Sequence, residues 1–156
     1  MRHKYDYYQT PEWCYEHLPI DWSQFKTALE PCSGDDRILN FLQNKGVQTD
    51  WCEIQKGKDF FDHDGEYDLV FTNPPFSLAQ DFIEHAMTMA PTVIMLLRIN
   101  FLGAQSRYDF WQMYPPDGLV ILSKRPSFTG QGTDSIDYAW FIWSDLEELK
   151  GLKWIK

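Results

Sequence analysis

The order of apolar and polar segments predicts an α/β fold with a mostly parallel β-sheet. Segments typical of strands alternate with segments typical of helices along most of the chain, and such alternation implies right-handed crossovers between parallel strands. The segment from Thr92 to Arg98 contains an unbroken apolar run from Val93 to Leu97, which is typical of a strand buried on both faces. Only a polar loop joins the last two strand-like segments, so we expect them to pair antiparallel at one edge of the sheet.

The first half of the chain is predicted to hold two helices and two strands. Thr10 suits the N-cap of a helix, and Pro11 and Glu12 suit its first turn, with the helix ending before Pro19. The segments that follow are a strand from Phe25 to Glu30, a helix with the apolar stripe Ile38, Leu39, Phe41 and Leu42 that ends at Gly46, and a strand from Val47 to Ile54.

The second half adds four strands and two helices. In order these are a strand from Tyr67 to Thr72, a helix from Leu78 to Met89, the strand Thr92 to Arg98, a helix from Tyr108 to Tyr114, and strands from Leu119 to Ser123 and from Tyr138 to Trp143. Ligands bind such sheets at the carboxyl ends of strands, so polar and conformationally special residues directly after each strand are the candidates for a binding site.

Length and composition narrow the class of protein. The 156 residues predict one domain over residues 1–156, and the net charge of −9 disfavours broad attraction to polyanions while allowing a local basic path. No apolar segment approaches the ~20 residues of a membrane helix, and no secretory leader is recognisable, so we expect a cytoplasmic protein without a membrane partner. The cysteines and histidines show no metal-binding spacing, so no metal is expected.

The segment from Glu30 to Asp36 (EPCSGDD) lies between a predicted strand and a predicted helix. Gly34 allows a positive φ and close backbone approach to a ligand, and the carboxylates of Glu30 and Asp35 favour a cationic ligand over a pyrophosphate. Glu53 follows Gly34 by 19 residues, which is the place of a ribose-binding acid in nucleoside-binding α/β folds. Together these residues predict a site for an adenosine-containing cofactor with a positive group.

Asn73-Pro74-Pro75-Phe76 comes directly after a buried strand. The two prolines fix φ and remove two backbone donors, which makes a stiff loop of exposed carbonyl groups. Such a loop can accept two hydrogen bonds from one NH2 group while a planar ring stacks on Phe76.

These motifs resemble the class I S-adenosylmethionine-dependent methyltransferases, most closely the small adenine-N6 DNA methyltransferases of phages and bacteria. The matching motifs are Thr-Pro at Thr10, Glu-Pro-x-x-Gly-Asp at Glu30, Asp-Phe at Asp59 and Asn-Pro-Pro-Phe at Asn73. The resemblance implies a Rossmann-like sheet, S-adenosylmethionine as cofactor, and DNA as substrate in single- or double-stranded form.

The resemblance also implies a role for each matching residue. Thr10, Pro11, Glu30, Pro31, Gly34 and Asp35 would hold the methionine end of the cofactor, Glu53 its ribose, and Asp59 and Phe60 its adenine. Asn73, Pro74, Pro75 and Phe76 would bind the target amine. The segment around Phe128 lies where the family has a loop that closes over the target base, so the resemblance gives Phe128 a stacking role. Arg98 and Arg125 end or follow late strands and are candidates to line a local basic path for the substrate.

Two departures from the family are visible. Only 13 residues separate Glu53 from Tyr67, too few for a crossover helix and a strand, so we expect the family's third strand to be rudimentary or missing. No segment is long enough for a target-recognition domain, which predicts low sequence specificity or a recognition surface gained by homo-oligomerisation. RNA or a protein side-chain amide as substrate, and a cofactor-binding protein without catalysis, stay open as alternatives.

Overall fold

The computed structural model of the protein describes residues 10–128 and 136–156. Within these residues the chain forms seven β-strands and three α-helices. The strands are β1 (Thr27–Glu30), β2 (Gln48–Trp51), β3 (Leu69–Thr72), β4 (Thr92–Arg98), β5 (Gly118–Leu122), β6 (Tyr138–Trp143) and β7 (Gly151–Ile155). The helices are α1 (Arg37–Asn44), α2 (Ala79–Met87) and α3 (Tyr108–Met113). No helix in this described part is long and apolar enough to cross a membrane.

The strands form one sheet in the order β2-β1-β3-β4-β6-β5-β7. β6 runs antiparallel to both neighbours, with Leu96 of β4 opposite Trp140 and Leu119 of β5 opposite Phe141. All other neighbouring strands pair in parallel. The predicted α/β class and the antiparallel pair of late strands are therefore confirmed, and the carboxyl ends of the parallel strands share one edge of the sheet.

The expected loss of the family's third strand is also confirmed. β2 is the outermost strand, and residues 52–68 form only two 3₁₀ turns, Ile54–Lys56 and Phe60–Asp62, before β3 begins. This segment still covers the sheet, because Phe60 is 2% exposed and its ring centroid lies 4.9 Å from that of Phe82 in α2. This short segment, with Phe60 packed against α2, thus takes the place of a strand and its crossover helix.

Two apolar cores lie on opposite faces of the sheet, and β6 contributes to both. Trp140 packs on one face with its ring centroid 4.7 Å from that of Phe71, while Phe141 packs on the other face near Trp111. The Trp140 indole N–H donates to the Cys14 carbonyl oxygen at 2.8 Å, so its polar atom is satisfied in the core. This bond also fixes the N-terminal segment against the centre of the sheet.

The predicted first helix is wrong. Only one 3₁₀ turn forms there, over Glu12–Cys14, with Pro11 at its N-cap position and no side-chain cap. Thr10 is therefore not a helix cap. In a continuing α-helix the Cys14 carbonyl oxygen would accept from the Leu18 N–H. Instead it accepts from the Trp140 indole, and the Leu18 N–H bonds the Tyr15 carbonyl oxygen at 3.2 Å.

The sequence interpretation also missed β7. No strand was expected after Trp143, but Gly151–Ile155 forms a strand parallel to β5. A Cβ atom on Gly118 would overlap the Leu149 carbonyl oxygen, so a glycine is needed where the turn before β7 crosses the start of β5. Leu152 and Trp154 stay more than 60% exposed, which explains why the segment lacks the apolar pattern of a buried strand.

Candidate active site

Three strands deliver the predicted site residues to one edge of the sheet. Glu30 is the last residue of β1, and Asn73 follows the end of β3, which pairs with β1. Arg98 is the last residue of β4, the next strand along the sheet. The carboxyl ends of neighbouring parallel strands thus bring together residues far apart in sequence, as the fold class predicts.

The segment from Glu30 to Asp36, together with Glu53, is here called the cofactor loop. Backbone N–H groups bind its carboxylates: Cys32 donates to Glu30 Oε1 at 2.8 Å, and Gly34 donates to Glu53 Oε1 at 2.9 Å. The second oxygen of Glu53 accepts from the Gln55 N–H at 2.9 Å. Gly34 has φ +55°, which confirms the predicted left-handed turn, and Glu53 holds that turn in place.

Glu30 is 1% exposed, and its burial raises the pKa of the carboxyl from about 4.5 to about 8. The Cys32 N–H lowers this pKa and the charge of the nearby Glu53 raises it. Glu53 itself is 4% exposed. Two acidic side chains are therefore buried side by side, an arrangement that favours either a bound proton or a cationic ligand.

The acidic residues after Gly34 are already paired within the protein. Asp35 lies 2.8 Å from the Arg37 guanidinium, and Asp36 lies 3.2 Å from the Lys56 amine. The predicted contact between Asp35 and a cofactor amine stays a prediction. In the structure, Asp35 helps begin α1, because its carboxylate also accepts from the Arg37 N–H at 3.4 Å.

Asp59 and Phe60 lie in the turn that replaces the missing strand. The Asp59 carboxylate accepts from the Phe61 N–H at 3.0 Å, and the Phe60 ring faces the core beside Phe82 and His85. Their contact with a cofactor adenine stays a prediction. Ile54, which directly follows Glu53, is 53% exposed.

One polar atom of the Asn73 side-chain amide has a hydrogen-bond partner, and the other has none. Its Nδ2 donates to Thr10 Oγ1 at 3.1 Å, whereas its Oδ1 is buried and has no hydrogen-bond partner. Pro74 and Pro75 are buried and hold the backbone next to this amide. The predicted amine-binding oxygen is therefore available as an acceptor.

Phe76 lies in an aromatic group that also contains Arg98, Phe128 and Tyr138. The Arg98 guanidinium carbon lies 4.3 Å from the Phe76 ring centroid, and Arg98 Nε donates to the Tyr138 hydroxyl at 3.4 Å. Tyr138 contacts both other rings, with centroids 6.0 Å from Phe76 and 4.9 Å from Phe128. Residues Asn73–Phe76 with these three side chains are here called the target corner.

The target corner joins six residues that the sequence singled out, among them the whole Asn73–Phe76 motif, with one that it missed. Phe76, Arg98 and Phe128 were predicted, but Tyr138 was assigned only to the core because it begins the apolar segment Tyr138–Trp143. Arg125 lies outside the corner, with its Nε 3.0 Å from Asp137 Oδ1. Asp137 directly precedes Tyr138, so Arg125 approaches the corner from its rim.

Basic residues follow three parallel strands at the same sheet edge: Arg98 ends β4, Lys124 and Arg125 follow β5, and Lys156 follows β7. Strands are spaced by ~4.8 Å, so β4 and β7, three steps apart, are separated by about 14 Å. This row, here called the basic rim, extends away from the target corner. β7 is what brings Lys156 to it.

No protein-family model and no curated protein matches this sequence. Solved structures do match its fold. A protein of Pyrococcus horikoshii, provisionally described as an RNA methyltransferase, superposes with a TM-score of 0.68 over 90% of this chain and 87% of its own, at 17% identity. The chain shares its α/β fold with this structure.

A second structure extends this likeness to the methyltransferase fold. It comes from Listeria monocytogenes and is provisionally described as a class I S-adenosylmethionine-dependent methyltransferase. It matches with a TM-score of 0.55 and 13% identity over 92% of this chain and 61% of its own. The shared fold determines where the carboxyl ends of the strands meet, and the side chains of this chain determine the chemistry at that edge.

Proposed function

We propose that the protein transfers a methyl group from S-adenosylmethionine to the exocyclic N6 amine of adenine in DNA, with low sequence specificity. The unpartnered, buried Oδ1 of Asn73 carries this proposal. A buried acceptor without a donor costs about 1–3 kcal/mol, and a ligand amine entering the target corner would supply the missing donor. A purely structural asparagine would have no reason to keep that oxygen unpaired.

The chemistry asks the protein to activate a weak nucleophile. The lone pair of an exocyclic amine is delocalised into its ring, which makes the nitrogen a weak nucleophile. Two acceptors that each bind one N–H of this amine would orient the lone pair toward the methyl carbon of the cofactor. Asn73 Oδ1 and the Pro74 carbonyl oxygen are suited to this work, and Phe76 offers a ring for stacking. Neither oxygen is basic enough to keep the proton that the methylated nitrogen releases, so that proton passes to water. Positioning of this kind is worth roughly 7–11 kcal/mol in oriented reactions.

The cofactor loop fits a cationic adenosine derivative. When bound, S-adenosylmethionine supplies an electrophilic sulfonium methyl group. Glu30 is buried and carries a raised pKa, so a nearby cation would stabilise its charged form. Each oxygen of Glu53 accepts one backbone N–H and keeps a free lone pair for a ribose hydroxyl. Ser33 Oγ is buried without a partner in the same loop, which leaves a further polar contact to a ligand.

A nucleic-acid substrate is supported by the basic rim. The whole chain carries a charge of −9, so any attraction to phosphates has to come from a local group of cations. Arg98, Lys124, Arg125 and Lys156 are such a group, and they extend from the target corner. DNA binding through them would weaken with rising salt, because each neutralised phosphate releases counterions.

RNA is the second candidate substrate. Asn73, the Pro74 carbonyl and Phe76 would bind a planar NH2 group in either nucleic acid, and the structural neighbour from P. horikoshii is described as an RNA methyltransferase. RNA differs from DNA by its 2′-hydroxyl group, and the assay below compares the two substrates directly.

The test is transfer of a labelled methyl group to defined nucleic acids. The protein is incubated with labelled S-adenosylmethionine and duplex DNA, single-stranded DNA or RNA, each paired with a same-length oligonucleotide that lacks adenine, and the products are digested to nucleosides. We expect label only in N6-methyldeoxyadenosine. Label confined to RNA would replace DNA by the second candidate. Cofactor binding by calorimetry without transfer to any of these substrates would overturn the proposal.

A further inference from the structure

The contact between Thr10 and Asn73 joins residues that are 63 positions apart. Thr10 is 5% exposed, and its hydroxyl oxygen lies 3.1 Å from Asn73 Nδ2. It does not cap the turn that follows, since no side-chain cap is formed there. The buried Thr10 hydroxyl therefore does not cap a helix, and its hydrogen bond is made to the side-chain amide of Asn73.

The stiff loop alone does not orient the Asn73 side chain. Pro74 and Pro75 fix the backbone after Asn73, but the last torsion of an asparagine is broad and roughly two-fold. The amide could therefore rotate by half a turn with its backbone unchanged. Rotation would exchange the positions of Oδ1 and Nδ2, and the target corner would then present a donor where an acceptor is needed.

The direction of this amide decides whether it can bind an amine. With Oδ1 toward the ligand, it accepts an N–H from the target NH2 group. With Nδ2 toward the ligand, two N–H groups would face each other and repel. In the structure Nδ2 is engaged by Thr10 and Oδ1 is left unpaired, which is the direction that catalysis needs.

We propose that Thr10 is a positioning residue, which accepts a hydrogen bond from Asn73 Nδ2 and so turns the Asn73 oxygen toward the target amine. The inference deepens the proposed methyl transfer and rests on it for its catalytic consequence. In this role Thr10 orients the residue that binds the target amine, whereas the family resemblance placed Thr10 at the methionine end of the cofactor. The two roles predict different kinetic effects.

The experiment compares Thr10→Val, Thr10→Ser and Thr49→Val. Valine keeps the size of threonine but accepts no hydrogen bond, whereas serine keeps the hydroxyl. Thr49 is 8% exposed in β2 and bonds the Val47 carbonyl oxygen, so Thr49→Val controls for the loss of a buried hydroxyl elsewhere. We expect Thr10→Val to lower kcat at least tenfold with the Kd for S-adenosylmethionine within about twofold. Thr10→Ser should recover most of that loss, and Thr49→Val should leave kcat near its original value.

Two results would overturn the positioning role. One is a Thr10→Val variant with weakened cofactor binding and an unchanged kcat, which would place Thr10 at the cofactor. The other is an equal loss in Thr10→Val and Thr49→Val, which would show a general effect on folding.

A spectroscopic readout separates this inference from the proposed function. In nitrogen-15 NMR spectra, the two protons of the Asn73 side-chain amide are inequivalent in any environment, and the hydrogen bond to Thr10 Oγ1 should shift the bonded one further downfield. We expect their shifts to move in Thr10→Val and to stay close to the original in Thr10→Ser. If the unaltered protein methylates none of the nucleic acids but these shifts move, the proposed function fails and the Thr10–Asn73 orientation stands. If the shifts do not move, the orientation fails whatever the activity.

Discussion

The cofactor loop and the target corner are held by different kinds of contact. In the cofactor loop, backbone N–H groups of Cys32, Gly34 and Gln55 bind carboxylate oxygens that lie 2 to 19 residues away. In the target corner, side chains bind one another across 40 to 63 residues, as in the Arg98–Tyr138 and Asn73–Thr10 pairs. The first region is built locally from the backbone, and the second depends on the whole fold.

The two regions also differ in how complete they are. Both oxygens of Glu53 have donors in the cofactor loop, whereas Asn73 Oδ1 in the target corner has none. The Glu53 carboxylate is therefore satisfied without a ligand, although Ser33 Oγ in the same loop is buried without a partner. The target corner is completed only when a donor enters, which is what selective binding of an amine requires.

The largest effect that this comparison predicts comes from Asn73→Ala. The substitution removes an acceptor at the reacting nitrogen and leaves the cofactor loop untouched. Loss of one such transition-state contact typically lowers kcat by about 10²–10³-fold. We expect a loss of this size in a methyl-transfer assay, with the Kd for S-adenosylmethionine within about twofold by calorimetry.

Asn40→Ala is the matched control for that substitution, because Asn40 is exposed on α1. It should leave both quantities close to their original values. A fall in cofactor affinity as large as the fall in kcat would show that Asn73 also contributes to cofactor binding, and would contradict the separate roles of the cofactor loop and the target corner.

The local character of the cofactor loop is also why the sequence revealed it. Gly34 and Glu53 belong to a short motif whose spacing carries its geometry, and the structure joins them by the expected turn. The Asn73–Phe76 motif was equally visible, but the contact of Asn73 with Thr10 and the place of Tyr138 beside Phe76 were not. Their roles depend on strand order and on the path of the N-terminal segment, which no local pattern specifies.

The same limit applies to the fold. The alternation of segments sufficed for the parallel sheet and for the loss of the third strand, because both follow from segment length and apolar pattern. It failed for β7, whose Leu152 and Trp154 are exposed, and for the segment after Thr10, where a bond to buried Trp140 overrides helix-favouring residues.

A pH-dependent stability is expected from Glu30 in the ligand-free protein. Burial raises the pKa of this carboxyl to about 8 from about 4.5. Between these values the folded state holds a proton that the unfolded state releases, so raising the pH lowers the free energy of unfolding. The slope is at most about 1.4 kcal/mol per pH unit, which gives up to about 2.7 kcal/mol between pH 5.5 and pH 7.5.

Urea unfolding of the unaltered protein and of Glu30→Gln at both pH values isolates this contribution. Glutamine keeps an oxygen for the Cys32 N–H but carries no titratable proton, so we expect the variant to lose less stability over the same interval. Parallel pH dependence in the two proteins would mean that Glu30 is charged at pH 5.5 and that a cation is not needed to stabilise it.

A smaller effect, confined to the cofactor, is expected from Glu53→Ala. Gly34 and Gln55 would lose the acceptor for their N–H groups, so part of the cofactor loop would have to be ordered by the ligand. An uncompensated cost of about 1–2 kcal/mol corresponds to a 5- to 30-fold rise in the Kd for S-adenosylmethionine. Glu84→Ala, which removes an exposed carboxylate from α2, controls for the change in net charge and should leave this Kd unaltered. Because Glu53 is hydrogen-bonded to Gly34 and Gln55 while Asn73 is hydrogen-bonded to Thr10, kcat at saturating cofactor should fall far less than in Asn73→Ala. A large fall in kcat at saturation would instead mean that the order of the cofactor loop is transmitted to the target corner, and that the two regions act as one unit.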